Sequence, residues 1–237
     1  MESWFLIFAY IVGSFPTGYL ISRWSSGKNV LEIGWRKNSG SNVYRNVGKW
    51  QGVVTGLLDA GKGYLAVFLA RYFGFPSEIQ ILAGASAVLG HNWSCFLKFA
   101  GGRGIGTFAG ALLALSPKIF GLSVLSFALF TLLLNMSLGT LVFLATVIFL
   151  SAYFNRFGII GTSGLFALLC LPLILIKRLS PIKEIFPIKR KSSLIRNRLL
   201  FDYDQWVGCR RELHSLLHLH FHKWKFGLKI WNKLKKS

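Results

Sequence analysis

Apolar residues in this chain gather into seven runs, near residues 3–22, 52–72, 79–97, 105–117, 119–136, 138–154 and 158–176, with short polar or charged breaks between them. Apolar runs of roughly 17–25 residues with few charges have the length a helix needs to cross about 30 Å of hydrocarbon. The pattern predicts an all-α, polytopic integral membrane protein with about seven transmembrane helices. The fourth run is short and carries Gly106 and Gly110, which predicts a tilted, broken or half-inserted helix and leaves six as the other count. The first run has no basic start (Met1-Glu2-Ser3-Trp4) and continues through Gly13-Ser14-Phe15-Pro16-Thr17-Gly18-Tyr19. It therefore reads as a retained span and not as a cleaved leader.

Composition agrees with this. Hydrophobic residues make up 53% of the 237, and 28 Lys and Arg face only 8 Asp and Glu. A soluble globule is excluded, and the placement of the bases sets an orientation. With seven spans, the basic segment 23–50, the 98–103 loop and everything from Lys177 onward fall on one side. The opposite loops hold only Arg71, Lys118 and Arg156. The excess of basic residues on cytoplasmic loops then puts the N-terminus outside and the Gly- and charge-rich loops and C-terminus of this multi-pass chain in the cytoplasm.

The chain divides into a membrane domain, 1–178, and a basic tail, 179–237. In the tail Trp206, Leu213, Leu217, Phe221, Trp224, Leu228 and Trp231 interleave with Lys and Arg. That reads as an amphipathic helix on an anionic leaflet, so anionic membrane lipids are its expected partner and nucleic acid is not. His214, His218 and His222 repeat every four residues, but no carboxylate or Cys spacing accompanies them, so no metal is assigned. Cys95, Cys170 and Cys209 form neither a disulfide framework nor a zinc motif. No cofactor is expected.

Three polar clusters interrupt the apolar pattern. Gly90-His91 leads into Lys98-Phe99-Ala100-Gly101-Gly102-Arg103-Gly104-Ile105-Gly106-Thr107. Glycines bare backbone N–H groups, and Lys98 and Arg103 add fixed positive charge, a pairing suited to a phosphate-like anion. Asn38-Ser39-Gly40-Ser41-Asn42-Val43-Tyr44-Arg45 offers hydrogen-bonding side chains at Ser39 and Asn42 and a bidentate fork at Arg45. The same stretch also reads as a polar turn with an interfacial arginine. Asp59-Ala60-Gly61-Lys62-Gly63 lies inside the second run, where ionisable groups default to function or to pairing with each other. Gly52-x-x-x-Gly56 and Gly106-x-x-x-Gly110 also fit close helix packing.

At these residues the chain resembles the bacterial membrane glycerol-3-phosphate acyltransferases that use acyl-phosphate as donor, the PlsY family. Gly13-Ser14, Pro16 and Gly18-Tyr19-Leu20 match its opening Gly-Ser-x-Pro-x-Gly-Tyr-Leu. Asp59, Lys62 and Gly63 match its Asp-x-x-Lys-Gly, and Ser39-Gly40 with Asn42 and Arg45 its first motif. Gly90, His91, Phe99, Gly101, Gly102, Gly104 and Thr107 match its long Gly-rich motif, with Arg103 where the family has lysine. Its third motif, a His-Arg-x-Asn segment after the last span, is not matched, and Lys177-Arg178 occupies its place.

The resemblance covers about residues 5–176. It implies attack by the 1-hydroxyl of glycerol-3-phosphate on an acyl-phosphate, two anions held by positioning and electrostatics. On this reading Ser39, His91 and Arg103 are catalytic. Arg45, Asn42, Lys62, Lys98, Gly101, Gly102, Gly104 and Thr107 bind substrate or phosphate. His91 equally reads as a helix-end cap, and the chain also reads as a non-catalytic homologue that binds or transports a phosphate-bearing lipid or metabolite.

Overall fold

A computed structural model describes residues 2–155 and 161–179. Among these the regular structure is helical throughout: α1 (Glu2–Ser14), α2 (Thr17–Ser26), α3 (Gly40–Asn46), α4 (Lys49–Tyr72), α5 (Ser77–Asn92), α6 (Ile105–Leu115), α7 (Pro117–Leu133), α8 (Met136–Phe154) and α9 (Thr162–Leu179). Four segments are long and apolar enough to cross a membrane: Glu2–Ser26, Lys49–Tyr72, Met136–Phe154 and Thr162–Leu179. The remaining apolar runs fold as the shorter helices α5, α6 and α7. The fourth run is the 11-residue α6, only about 16 Å long, too short to cross a bilayer alone. The start of the seventh run and, apart from Leu179, the whole tail 179–237 lie outside the described residues.

Local chemistry sets the breaks. Pro16 lacks an N–H and ends α1, so the first span is two helices joined at Phe15-Pro16. Gly27 closes α2 in the left-handed region, at φ +66°, with its N–H on the Arg23 carbonyl. Pro117 occupies the first turn of α7, where its missing donor costs nothing. Asn135 caps α8 by accepting from the Leu138 N–H.

Helices meet through small residues. On Gly110 any side chain would strike the Ala60 carbonyl, and on Gly63 the Thr107 carbonyl, so α4 and α6 touch backbone to backbone. α1 and α5 do the same at Gly13 against Ala87 and Gly90 against Tyr10. A larger core joins α6, α8 and α9, where Phe108 stacks on Phe166 at 4.9 Å and meets Phe143 edge-on at 5.8 Å. Large apolar side chains such as Leu57, Leu132 and Phe149 face outward, as a hydrocarbon solvent requires.

These contacts set a prediction. Gly110→Leu is expected to abolish a monodisperse preparation in detergent, because a side chain there separates α4 from α6. Gly61→Ala, which meets only open space, should leave the thermal midpoint unchanged or slightly raised. A well-behaved Gly110→Leu protein would show that the helices are not held at backbone contact.

Candidate active site

Asp59 and Lys62 lie one turn apart on the buried face of α4. Lys62 Nζ is 2.8 Å from Asp59 Oδ1 and donates to the Phe15 carbonyl at 3.2 Å, at the joint that Pro16 creates. The Thr17 hydroxyl donates to the same Asp59 oxygen at 2.7 Å, and His91 Nδ1 lies 3.4 Å from it. One carboxylate oxygen therefore gathers α2, α4 and α5. A charge buried in a span persists only when paired in this way.

Two loops close over this centre. In the Trp93–Gly104 loop the Ser94 hydroxyl donates to the Ser14 carbonyl, and the Ser94 carbonyl accepts the Phe99 N–H at 2.8 Å. Gly101 and Gly102 lie against the backbone of His91 and Asn92 and against the imidazole, where a Cβ would collide. The Gly102 N–H donates to the His91 carbonyl at 2.9 Å. These two glycines thus bring the loop down onto His91. Gly104, at φ +77°, begins α6.

The 28–39 loop is organised by buried Asn42. Its amide donates to the carbonyls of Val30, Ile33 and Lys37 at 3.0, 3.2 and 3.0 Å and accepts the Trp35 N–H at 3.1 Å. The Asn38 N–H donates to the Gly101 carbonyl at 3.2 Å, joining the loops. Lys37 Nζ donates to the Lys177 carbonyl at 2.8 Å at the end of α9.

Between these loops and the helices lies a cleft of about 880 Å³. Its polar end carries Ser39, Arg45, His91, Arg103 and Gly104, with Asp59 beside His91. Phe120, Val124, Phe127, Leu134 and Phe143 supply an apolar wall. Arg178 also reaches the cleft and donates to the Ser137 hydroxyl.

The structure thus brings Ser39, His91, Arg103, Arg45 and Gly104 to one surface. The other sequence-predicted residues stand elsewhere. Asn42 and Lys62 are spent on the loop and on Asp59. Gly101 and Gly102 pack behind His91, Thr107 is buried on α6, and Lys98 is exposed outside the cleft.

The sequence placed Arg178, with Lys177, where the third family motif is expected but assigned it no role in the site. Nothing in the sequence marks Trp35, whose ring lies 4.9 Å from the Arg45 guanidinium carbon and 5.2 Å from that of Arg103. Among the described residues Lys37, Lys62, Lys177 and Arg178 are buried, while Asp59 is the only buried carboxylate. The cleft itself is lined by Arg45, Arg103 and Arg178 against one carboxylate, Asp59, and that excess of cations beside an apolar wall suits an amphiphile with an anionic head. No cluster of three or more His, Cys, Asp or Glu able to hold a metal occurs among the described residues.

Residues 3–187 match the family model described as glycerol-3-phosphate acyltransferase. A protein of Dehalococcoides mccartyi, named glycerol-3-phosphate acyltransferase 4, is 33% identical over 221 residues, covering 87% of this chain and 93% of its own. One of Moorella thermoacetica, named glycerol-3-phosphate acyltransferase 2, is 41% identical over 152 residues, 64% of this chain and 78% of its own. The fold is similar to the crystal structure of PlsY, an integral membrane glycerol 3-phosphate acyltransferase, in its glycerol 3-phosphate form. The TM-score is 0.67 at 27% identity, over 75% of this chain and 88% of that one. The lysophosphatidic acid form of the same protein matches with a TM-score of 0.63.

The hydrogen bonding of Asn42 gives a prediction. Asn42→Ala strands the Trp35 N–H and three loop carbonyls, and is expected to cost about 2–4 kcal/mol. The thermal midpoint in detergent should fall by several degrees, and an unchanged midpoint would remove Asn42 as the loop's organiser.

Proposed function

The chain belongs to the glycerol-3-phosphate acyltransferase family, and from that premise we propose that it transfers an acyl group from acyl-phosphate to the 1-hydroxyl of glycerol-3-phosphate, releasing phosphate. The product is 1-acyl-glycerol-3-phosphate (lysophosphatidate), a precursor of phospholipids. The observation that carries this reading is the cleft itself, with arginines and His91 at one end and an apolar wall running from it.

The acyl donor is a mixed anhydride and already activated, so no covalent nucleophile on the protein is needed. The 1-hydroxyl oxygen attacks the acyl carbon. The bond from that carbon to the phosphate oxygen breaks, and phosphate leaves with the electron pair. His91, whose Nδ1 lies 3.4 Å from Asp59 Oδ1, takes the hydroxyl proton. Arg103 and Arg45 hold the phosphate of glycerol-3-phosphate and offset its repulsion for the phosphate of the donor. Ser39 hydrogen-bonds at the polar end. The N-terminus of α6 at Gly104 adds its dipole, and Thr107 and the glycines Gly101 and Gly102 hold that turn in place. Lys62 acts through Asp59, and Asn42 through the 28–39 loop that leads to Ser39. Lys98, outside the cleft, contributes long-range attraction for anions. The acyl chain lies along Phe120, Val124 and Phe127.

The same reading places the protein in the inner membrane with these loops and the C-terminus in the cytoplasm, in keeping with the distribution of Lys and Arg. It also assigns the basic tail to anionic lipid at that surface. Among the described residues Cys95 is exposed and Cys170 buried. A membrane-impermeant thiol reagent should therefore label a Cys209→Ser protein in inside-out vesicles and not in intact cells. The reverse pattern overturns the orientation.

Activity is tested with purified full-length protein. Acyl-phosphate and glycerol-3-phosphate should yield lysophosphatidate, and Arg103→Ala should lower kcat/KM about 10²–10³-fold, with Arg103→Lys retaining more. A folded protein that makes no lysophosphatidate sinks the proposal. Equal transfer from acyl-CoA would sink the donor assignment alone.

A further inference from the structure

Trp35 belongs to neither the cleft wall nor the core, yet it is the most deliberately presented side chain near the site. Its neighbours Gly34 and Arg36 both adopt left-handed backbone, at φ +55° and +52°. On Gly34 a Cβ would run into the Asn42 and Asn46 side chains, so that turn requires glycine. The Trp35 N–H is held by Asn42 Oδ1 at 3.1 Å, and the ring is half-buried. Two guanidinium groups from separate elements approach this one indole: Arg45 from α3, with Cζ 4.9 Å from the ring centroid, and Arg103 from the loop before α6, at 5.2 Å. Both distances lie within the range where the ring quadrupole attracts a cation, and tryptophan is the strongest such ring.

Two like charges brought to one cleft repel, and two long side chains lose rotamer freedom on binding an anion. A shared aromatic ring offsets the first and reduces the second before substrate arrives. We propose that Trp35 is a positioning residue that holds Arg45 and Arg103 together on one ring as a preformed clamp for the phosphate group of glycerol-3-phosphate. This rests on the proposed activity for the identity of the ligand, and on the ring geometry for the clamp itself. Trp35 does not touch the reacting atoms. Its loss therefore weakens capture of the acceptor and leaves the chemical step to the residues already described.

The test compares full-length wild-type protein with Trp35→Phe and Trp35→Leu, in detergent, by steady-state acyl transfer and by calorimetric titration with glycerol-3-phosphate. The KM for glycerol-3-phosphate and its dissociation constant are expected to rise about 2–3-fold in Trp35→Phe and about 10-fold in Trp35→Leu. The kcat and the KM for the acyl donor should stay within about 2-fold. That graded, acceptor-only pattern is one that a general packing defect does not produce.

An unchanged constant in Trp35→Leu, an equal loss in both variants, or a fall in kcat alone overturns the clamp. Where Trp35→Leu cannot be recovered folded, Trp35→Phe decides: the 2–3-fold rise supports the clamp and an unchanged value overturns it. If wild-type protein makes no lysophosphatidate but binds glycerol-3-phosphate, the activity fails and the titrations still decide the role of Trp35. If wild-type protein does not bind it, both fall.

Discussion

The site is organised around a single carboxylate oxygen on Asp59. It receives the Thr17 hydroxyl, the Lys62 ammonium and the side of His91, and those three groups stand on three different helices or helix joints. In hydrocarbon an isolated aspartate is among the most expensive groups to place, so Asp59 stays only while all three approach together. The break at Pro16 is part of the same unit. It turns Thr17 toward α4 and leaves the Phe15 carbonyl in reach of Lys62. What positions His91 is therefore the joint satisfaction of one charge, and not any single contact.

Above that centre the two loops stabilise each other. Asn42 satisfies the 28–39 loop from within, and the loop's Asn38 N–H is bonded to the Gly101 carbonyl of the other. Glycine at 101 and 102 lets the second loop lie directly on His91. The arginines are thereby carried on backbone that is pinned at both ends, which is how a cluster of like charges can stand open before any anion is bound. Arg45, Arg103 and Arg178 against the one carboxylate of Asp59 leave the lining of that cleft with an excess of positive charge.

The hydrophobic runs located α1, α4, α5, α6, α7, α8 and α9, because helices in lipid are written by length and apolarity. The short α3 and the joint at Pro16 were not legible as elements, since both depend on contacts distant in sequence. The motifs led directly to Arg45, His91, Arg103 and Ser39. They did not reveal that Lys62 and Asn42 face inward to Asp59 and to loop carbonyls. A lysine that neutralises a carboxylate and one that meets a phosphate have the same sequence signature. Trp35 left no signal, because its partners are 10 and 68 positions away and on different elements. Arg178 stood where the third motif is expected without matching it, and only the packing of α9 turns it toward Ser137.

Where α4 meets α6 there is no side chain between the backbones, whereas α7 buries only Ile119 and Ser123. The two walls of the cleft therefore differ in stiffness. The stiff one carries Asp59 and the start of α6, and its shape is set by covalent backbone. The other carries Phe120, Val124 and Phe127 on a helix held to α8 by side chains, as at Phe127 against Phe143 and Ser126 against Thr146. One wall is thus fixed by backbone against backbone and the other by interlocking side chains, so the two sides of a single cleft are two different kinds of solid.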